Sequence, residues 1–289
     1  MMSSLPDPVV REPATRSADL QLQFQRAPDN RTFIRNQFGR YPFHVCRAQY
    51  MDANPAGLAT VYLQSSSGGI FEHDRLSCEL HGLPGSQSHI TTQASTIAHR
   101  MDQGYAGHNM AIRAEEGSYL EYLANPMILF PQSELRSAVH IRQHPDSTIL
   151  LADGFMHHDP EGNGAVFRSY FSEIRVENLA GCLQCLDRYQ VCGEDFVREE
   201  PGIMGKHKIQ STFLVLSRSG SLDDLSQRLR TGLRGSADEY AGVSRLPNQC
   251  GVMVRMLSTS AHRMEKRITR LWQIARYSLF GQYPALRRK

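Results

Sequence analysis

The sequence has no long apolar run. No segment of its 289 residues approaches the roughly 20 apolar residues that are needed to cross a bilayer. The first 35 residues are polar and contain no hydrophobic core of an export signal. We therefore predict a cytoplasmic protein that does not enter a membrane. In that compartment its six cysteines are expected to remain thiols.

The sequence also has little excess of either charge. Its formal net charge is +3, which is too small to indicate binding to nucleic acid. Lysine and arginine are concentrated near the C-terminus, between Arg263 and Lys289. Most runs of this kind are solvated faces, so this run, which includes Arg276, predicts an exposed surface.

Signatures of common catalytic sites are missing. Residues 202–207 have the wrong glycine spacing for a phosphate loop, and no serine or threonine follows the lysine. The sequence has neither a dinucleotide fingerprint nor a nucleophile elbow. These absences favour a protein that is not an enzyme. A hydrolase or isomerase on a β-rich fold is the weakest alternative, and it stays open because catalytic triads form from residues that are distant in sequence.

Three cysteines have part of the spacing of a zinc site. Cys182 and Cys185 are three residues apart, and Cys192 follows, but no second cysteine pair or spaced histidine pair supplies the four ligands of a structural site. The segment alternates like a strand, which would point Cys182 and Cys185 to opposite faces. Buried thiols that pack as small hydrophobic groups are therefore the favoured interpretation.

Short strand-like segments fill the region between residues 43 and 216. Apolar and polar residues alternate over residues 173–177, and residues 149–151 and 213–216 are short apolar runs. Turn signals rich in Gly, Pro and Asp separate these segments, as in residues 159–164. The pattern predicts a mainly β protein built from stacked β-sheets.

The N-terminal segment differs in composition. It is rich in Pro, Ser, Arg and Asp, which predicts that residues 1–30 are flexible. Residues 31–289 are then expected to form a single β-rich domain, since a chain of this length can bury a sizeable core.

Two helices are predicted near the C-terminus. Ser221 and Asp224 form a capping box, and Gly232 or Gly235 is a candidate for the end of that helix. The apolar face of this first helix consists of Leu222, Leu225 and Leu229. A second helix is expected over residues 261–280, and Gly281 can end it in the left-handed conformation. Its apolar stripe, with Trp272 beside it, consists of Met264, Ile268, Leu271, Ala275 and Leu279. Both stripes predict packing onto the sheets.

Histidines stand beside carboxylates at two places. His73 adjoins Asp74, and His157 and His158 precede Asp159 in a turn-rich segment. Imidazole and carboxylate groups suit borderline ions such as nickel or zinc, so a weak and transient metal site is one hypothesis. The simpler interpretation, an exposed loop residue without a ligand role, is favoured for each of these histidines taken alone. No tightly bound cofactor is expected.

Three segments carry a family pattern. They are LQSSSGGIFEHDRL at residues 63–76, ITTQASTIAHR at 90–100 and LEYLANPMILFPQSEL at 120–135. In this order they resemble the urease accessory protein family UreD, called UreH in some organisms, and the match extends loosely over most of residues 40–280. The matching positions are Gly68, Gly69, Asp74, Thr91, Thr92, Gln93, Leu120, Glu121 and Pro126.

The chain departs from the family pattern at several positions. His73 stands where the family has glycine, Ile97 where it has lysine, and Phe155 where arginine is expected. The family's Gly-Glu pair after that strand is missing, and residues 283–286 replace its usual ending. The resemblance therefore points to a divergent member.

The resemblance implies a scaffold rather than an enzyme. Members of the family have a helix-like, β-solenoid-like stack of sheets with a few helices. They bind the urease apoenzyme and the accessory protein UreF, which recruits the nickel-carrying GTPase UreG. Nickel is thought to travel through a water-filled passage inside the protein. By position, the passage candidates in this sequence are Gly68, Gly69, Asp74, Thr91, Thr92, Gln93 and Glu121.

Two simpler structural interpretations stand beside the passage. Thr91 and Thr92 are consistent with a buried strand whose hydroxyls satisfy neighbouring backbone, and Asp74 with a salt bridge to Arg75 in a turn. An alternative function is a diverged interaction scaffold that serves another partner and has no metal role.

Overall fold

The computed structural model describes residues 18–200, 202–233 and 239–287, and within these ranges the chain is mainly β. In chain order the elements are β1 (Leu20–Arg26), β2 (Thr32–Gly39), β3 (Phe43–Val45), β4 (Ala59–Ser65), β5 (Arg75–Gly82), β6 (Gln87–Thr92), β7 (Ile97–Ala98), β8 (Ala106–Ala114), β9 (Tyr119–Leu123), β10 (Met127–Leu129), β11 (Glu134–Gln143), β12 (Thr148–His157), β13 (Ser169–Asn178), β14 (Leu183–Cys192), α1 (Gly193–Val197), β15 (Ile209–Leu216), α2 (Leu222–Gly232), β16 (Glu239–Arg245), β17 (Gly251–Ser258) and α3 (Ala261–Phe280).

The strands form two sheets. The first has the order β14-β13-β11-β8-β5-β1-β2, and the second β16-β17-β15-β12-β9-β6-β4-β3, with β7 and β10 extending it beside β12. From β4 to β13 the chain passes back and forth between the sheets, and each return adds a parallel strand in register with the previous one. This stacking is β-solenoid-like, which confirms the predicted fold class.

Burial along the strands follows from what covers each face. Strand β11 alternates between buried and more exposed residues because one face packs on the second sheet and the other faces solvent. Every residue of β15 is buried, since this strand lies between the first sheet and the helices. The main core lies between the sheets, and a second apolar cluster joins the second sheet to α2 and α3.

The two predicted helices are confirmed. At the start of α2 the Ser221 hydroxyl accepts the Asp224 N–H at 3.2 Å, as the capping box requires. Helix α3 spans the predicted residues 261–280, and Gly281 ends it with φ 70° while its N–H donates to the Tyr277 carbonyl. Gly235, the other candidate for the end of α2, lies outside the described residues. No helix in the described ranges combines the length and apolar character that a membrane crossing requires.

The flexible segment predicted over residues 1–30 extends too far. Residues 20–26 form β1, an inner strand of the first sheet, and Leu20 and Phe24 are fully buried. The reason is the strict alternation of apolar and polar residues from Leu20 onward, which suits a half-buried strand whatever the composition of its surroundings. Residues 1–17 of the predicted segment lie outside the described residues.

The basic C-terminal run contains a second departure from the sequence prediction. Arg276 was expected on the solvated face, but its side chain is completely buried, whereas Arg263, Lys266 and Arg270 are exposed. Arg276 follows Trp272 by four residues, so both side chains lie on the face of α3 that packs against the second sheet. A charge in this position requires buried partners, which the next section describes.

Candidate functional site

The glycine turn of the first family segment is tightly built. Gly69 has φ 149°, and a Cβ at this position would overlap the Ile97 carbonyl oxygen and lie 2.8 Å from the His99 ring. The backbone continues from there into hydrogen bonds between Ile70 and Ile97 (2.7 Å) and between His99 and Ile70 (2.9 Å). Gly69 therefore allows two stacked turns of the chain to approach each other closely.

Asp74 closes a turn and lines neither of the two cavities that border the threonine segment. Its carboxylate accepts the Phe71 N–H at 2.8 Å. Arg75 does not pair with this carboxylate: its guanidinium donates instead to the Asp74 and Tyr105 carbonyls, at 2.8 and 2.7 Å. The salt bridge considered from the sequence is thus replaced by a side-chain-to-backbone turn.

A neighbouring acid, Glu72, was not singled out from the sequence. Its carboxylate accepts the backbone N–H groups of Asp102 (3.2 Å), Gln103 (2.9 Å) and Gly104. These backbone hydrogen bonds, that of Gly104 above all, lower the pKa of Glu72 to about 2. Glu72 holds the loop before β8 in place, so its role is structural.

The threonine segment separates into two environments. The Thr91 hydroxyl donates to the Leu123 carbonyl at 2.6 Å and borders a cavity beneath α3. Thr92 accepts the Asn125 N–H at 2.9 Å, and Gln93 accepts from the Gln64 side chain at 2.6 Å. The hydroxyls of both threonines therefore satisfy neighbouring backbone, as the simpler interpretation expected.

One cavity brings together several of the predicted residues. It has a volume of about 190 Å³ and is bordered by Gly68, Gly69, Thr92 and Gln93. It opens between the two sheets, because its lining also includes Cys78 and His108 from the first sheet and Tyr122 from the second. The fold thus brings these four predicted residues together around one cavity, which we call the inter-sheet cavity.

Two titratable groups lie between the sheets, one of them in the lining of this cavity and the other outside it. Asp153 on β12 is hydrogen bonded to Ser172 on β13. Burial raises the pKa of Asp153 to about 6, and burial lowers the pKa of His108 to about 4. Asp153 forms no salt bridge with a described residue. The inter-sheet space thus contains an acid without a counter-ion and a neutral imidazole.

Glu121 does not lie in the inter-sheet cavity. It is completely buried on the helix-covered face of β9, where Arg276 binds it through Nε–Oε1 (2.6 Å) and Nη2–Oε2 (3.1 Å) contacts. Trp272 Nε1–H (2.8 Å), the Tyr119 hydroxyl and His89 Nδ1 (2.5 Å) complete its partners. Although burial alone would raise the pKa of Glu121, Arg276 and His89 hold it well below its usual range.

The histidines proposed as metal ligands are divided between two places. His157, His158 and His207 border a surface cavity of about 470 Å³, which His73 and Asp74 do not line. His157 Nδ1 lies 3.3 Å from the Leu129 carbonyl, and the His158 ring packs 5.7 Å from the Phe130 ring. No group of three or more His, Cys, Asp or Glu side chains suited to a metal ion is found within the described residues.

The prediction of buried thiols is confirmed for Cys185 and is wrong for Cys182 and Cys192, which are exposed. Cys182 is exposed in the turn before β14, whereas Cys185 is buried within it and its thiol is hydrogen bonded to that of Cys250. None of the six cysteines is in a disulfide.

Comparison with known proteins identifies the family. The sequence profile described as "UreD urease accessory protein" matches residues 16–289. This chain belongs to the UreD family of urease accessory proteins. Relatives named "Urease accessory protein UreD 1" include one from Pseudomonas syringae pv. syringae, which is 38% identical over 96% of this chain and 97% of its own length. Another from Pseudomonas syringae pv. tomato is 36% identical over the same shares, and one from Bradyrhizobium sp. is 29% identical over 95% of each chain.

One departure from the UreD pattern lies in a turn at residue 73. His73 stands where the family pattern has glycine, and it has φ 68°, in the left-handed region that glycine adopts most easily. His73 therefore holds a turn conformation that glycine would adopt more easily. Its cost is local backbone strain, which the neighbouring hydrogen bonds to Asp74 and Glu72 offset.

Proposed function

We propose that this chain is a urease accessory scaffold that takes part in urease maturation. In this proposal it bridges the urease apoenzyme and a UreF-like accessory protein, and through the latter a UreG-like GTPase, without catalysing a reaction itself. The single observation that carries the proposal is the match to the UreD family over residues 16–289.

The proposal includes a passage for nickel between the two sheets. Support comes from the inter-sheet cavity, whose lining includes His108, and from Asp153, which is hydrogen bonded across the two sheets and also borders the cavity beneath α3. A partly buried carboxylate without a counter-ion attracts a cation. Oxygen and imidazole ligands without thiolate bind nickel weakly enough to release it. In this proposal nickel is a cargo and not a resident cofactor.

The bridging role is tested by recovery of partners. An affinity-tagged chain expressed in its native host should co-purify urease subunits, a UreF-like protein and a GTPase. The match to UreD relatives over 96% of the chain is the reason to expect these partners. Recovery of a different set of proteins without urease subunits would contradict the proposal and favour a diverged scaffold.

The passage is tested with Asp153→Asn. We expect this variant to lower the nickel content per urease active site several-fold while urease and the accessory proteins still co-purify. Asp146→Asn, which changes an exposed acid in the turn before β12, is the matched control and should load normally. Full nickel loading with Asp153→Asn, measured by elemental analysis, would remove Asp153 from the passage.

The same substitution should change stability with a defined pH dependence. The pKa of Asp153 is about 6 in the folded state against 3.8 for an unperturbed aspartate, so the folded protein binds the proton more tightly. Stability from this group therefore falls as pH rises from about 4 to about 6. Asp153→Asn should remove that loss. The free energy of unfolding should therefore rise by on the order of 2 kcal/mol at pH 7.5 and change little at pH 4. Urea unfolding at the two pH values measures the difference.

A further inference from the structure

The cavity beneath α3 follows the helix from its first turn to Trp272. It has a volume of about 400 Å³ and separates the helix from the outer face of the second sheet. His262 and Glu265 border it where the helix begins, and both are exposed, so this end opens to solvent. Trp272 borders it about three turns farther along and is only 5% exposed, so the cavity is closed at this end.

Between these two ends the walls of the cavity are mainly apolar. Met264 and Ile268 border it on the helix side, and Leu123, Met156 and Ile209 border it on the sheet side. A water molecule takes up about 30 Å³, and along these walls it would find few hydrogen-bond partners. The volume lies within the range of about 300–1,000 Å³ that is typical of pockets for small molecules. The middle of the cavity therefore suits the apolar body of a ligand.

The closed end has a hydrogen-bond acceptor without a partner. His89 Nδ1 lies 2.5 Å from Glu121 Oε2, and the Glu121 oxygens also accept N–H groups from Arg276 and Trp272. Glu121 is therefore an acceptor-only carboxylate, so His89 Nδ1 carries the proton between the two groups. Burial lowers the pKa of His89, so the ring is neutral and Nε2 keeps a lone pair. This nitrogen is buried and has no hydrogen-bond partner among the described residues.

A donor without a partner lies at the same end. Arg287 pairs with Asp52 through Nη2 and donates to the Ala285 carbonyl through Nη1 at 2.9 Å. Its Nε–H has no partner in the described part of the chain, and its side chain is only 6% exposed. The Arg287 guanidinium carbon and the His89 ring centroid each lie 5.1 Å from the centroid of the Trp272 ring. The two unused groups are thus neighbours of one indole, and leaving either unsatisfied is costly.

The charges around the closed end balance one another. Arg276 is paired with Glu121, and Arg287 with Asp52. The carboxyl group of Asp153, whose strand also borders the cavity, is hydrogen bonded instead to the first sheet. A charged ligand group would therefore be buried here without a counter-ion of its own, which is costly. A neutral head group avoids this cost.

We propose that the cavity beneath α3 binds a small neutral amphiphile whose head group both donates and accepts a hydrogen bond. The head lies at the closed end, where it accepts the Arg287 Nε–H and donates to His89 Nε2, and the apolar body extends along α3. Primary amides and alcohols share this chemistry. The inference goes beyond the proposed role in urease maturation and does not depend on it.

Hexanamide and hexanol, titrated into the full chain, test this proposal. Trp272 is the sole tryptophan and borders the closed end, so its fluorescence reports on the cavity. We expect each compound to shift the emission to shorter wavelength in a saturable way, because the alkyl chain replaces water. Hexanoate and hexylammonium carry a charge and should need at least about tenfold higher concentrations for a half-maximal shift. Hexanenitrile accepts a hydrogen bond but cannot donate one, so it should also bind more weakly than hexanamide.

The outcomes of this series separate the possible contents of the cavity. A saturable shift with only one of hexanamide and hexanol would support the proposal and identify the head group. No saturable shift with either compound would show that the cavity holds water only, and would overturn the proposal. Equal half-maximal concentrations for hexanamide and hexanoate, or for hexanamide and hexanenitrile, would overturn the assigned head-group chemistry.

Two variants place the binding in this cavity. Ile268→Phe fills part of the space for the apolar body and should abolish the shift, whereas Ile203→Phe makes the same change at an exposed position and should respond like the parent protein. Arg287→Lys keeps a cation for Asp52 but has no Nε–H, so half-maximal binding of hexanamide should need about fivefold more ligand. A parental response in Ile268→Phe would overturn the proposal. The ligand series on the parent protein needs no variant, so it decides the matter even if Ile268→Phe does not fold.

Discussion

Arg276→Met should destabilise the protein by about 3–5 kcal/mol, the largest effect expected of any substitution on α3. Arg276 contacts Glu121 through two nitrogens, lies 3.6 Å from Asp52 and donates to the Asn54 carbonyl at 3.3 Å. Methionine fills much of the same volume, so the loss comes from the uncompensated Glu121 charge and not from a cavity. Urea unfolding at pH 7.5 measures it.

Arg270→Met is the matched control, since Arg270 lies on the exposed face of the same helix. This substitution should change the free energy of unfolding by no more than about 0.5 kcal/mol. Equal losses from the two substitutions would contradict the buried ion pair.

The pH dependence supplies a second readout for Arg276→Met. In the parent protein the pKa of Glu121 is held below its unfolded value of 4.5, so its contribution is present above that pH and is lost as pH falls. Without Arg276, burial raises the pKa of this carboxyl instead, and stability from this group should fall as pH rises above about 4.5. The loss caused by Arg276→Met should therefore be larger at pH 7.5 than at pH 4.

Arg276 also shows where sequence reasoning stops. The helical period gave the bounds of α3 correctly, and the apolar stripe correctly predicted which face packs on the sheet. Arg276 lies on that face, but because it is charged it was predicted to be exposed like the other arginines. Its partner Glu121 is 155 residues away in the chain, so no local pattern could reveal that the charge is neutralised.

In the candidate site, too, sequence reasoning found the residues of local motifs and missed those whose role depends on contacts between distant segments. Gly69 and Thr92 were found because the family pattern is local, and the fold brings both to the inter-sheet cavity. Asp153 and His108 were missed because their environment depends on the sheet that faces them, which strand periodicity does not specify. His89, a partner of the buried Glu121 carboxylate, was missed for a related reason: the two residues are brought together only by the pairing of β6 with β9.

Two adjacent glycines of the first family segment should respond very differently to alanine. Gly69→Ala should destabilise the protein by about 2–4 kcal/mol, because it combines an unfavourable backbone conformation with overpacking. The new methyl group would overlap the Ile97 carbonyl oxygen and press on the His99 ring, which itself stacks on Phe71 at 4.5 Å. Relief would require the two stacked turns to separate and would weaken the Ile70–Ile97 hydrogen bond.

Gly68→Ala is the internal control for Gly69→Ala. A Cβ at Gly68 meets no atom within 4 Å, so its substitution should be neutral or slightly stabilising, through lower entropy of the unfolded chain. Both variants replace glycine by alanine, so a difference between their melting temperatures reports the surroundings of Gly69 and not the chemical change itself. Similar melting temperatures for both would show that the close approach at Gly69 does not constrain the fold. A selective loss at Gly69 would tie this family glycine to the contact between successive turns of the stack, at the entrance to the inter-sheet cavity.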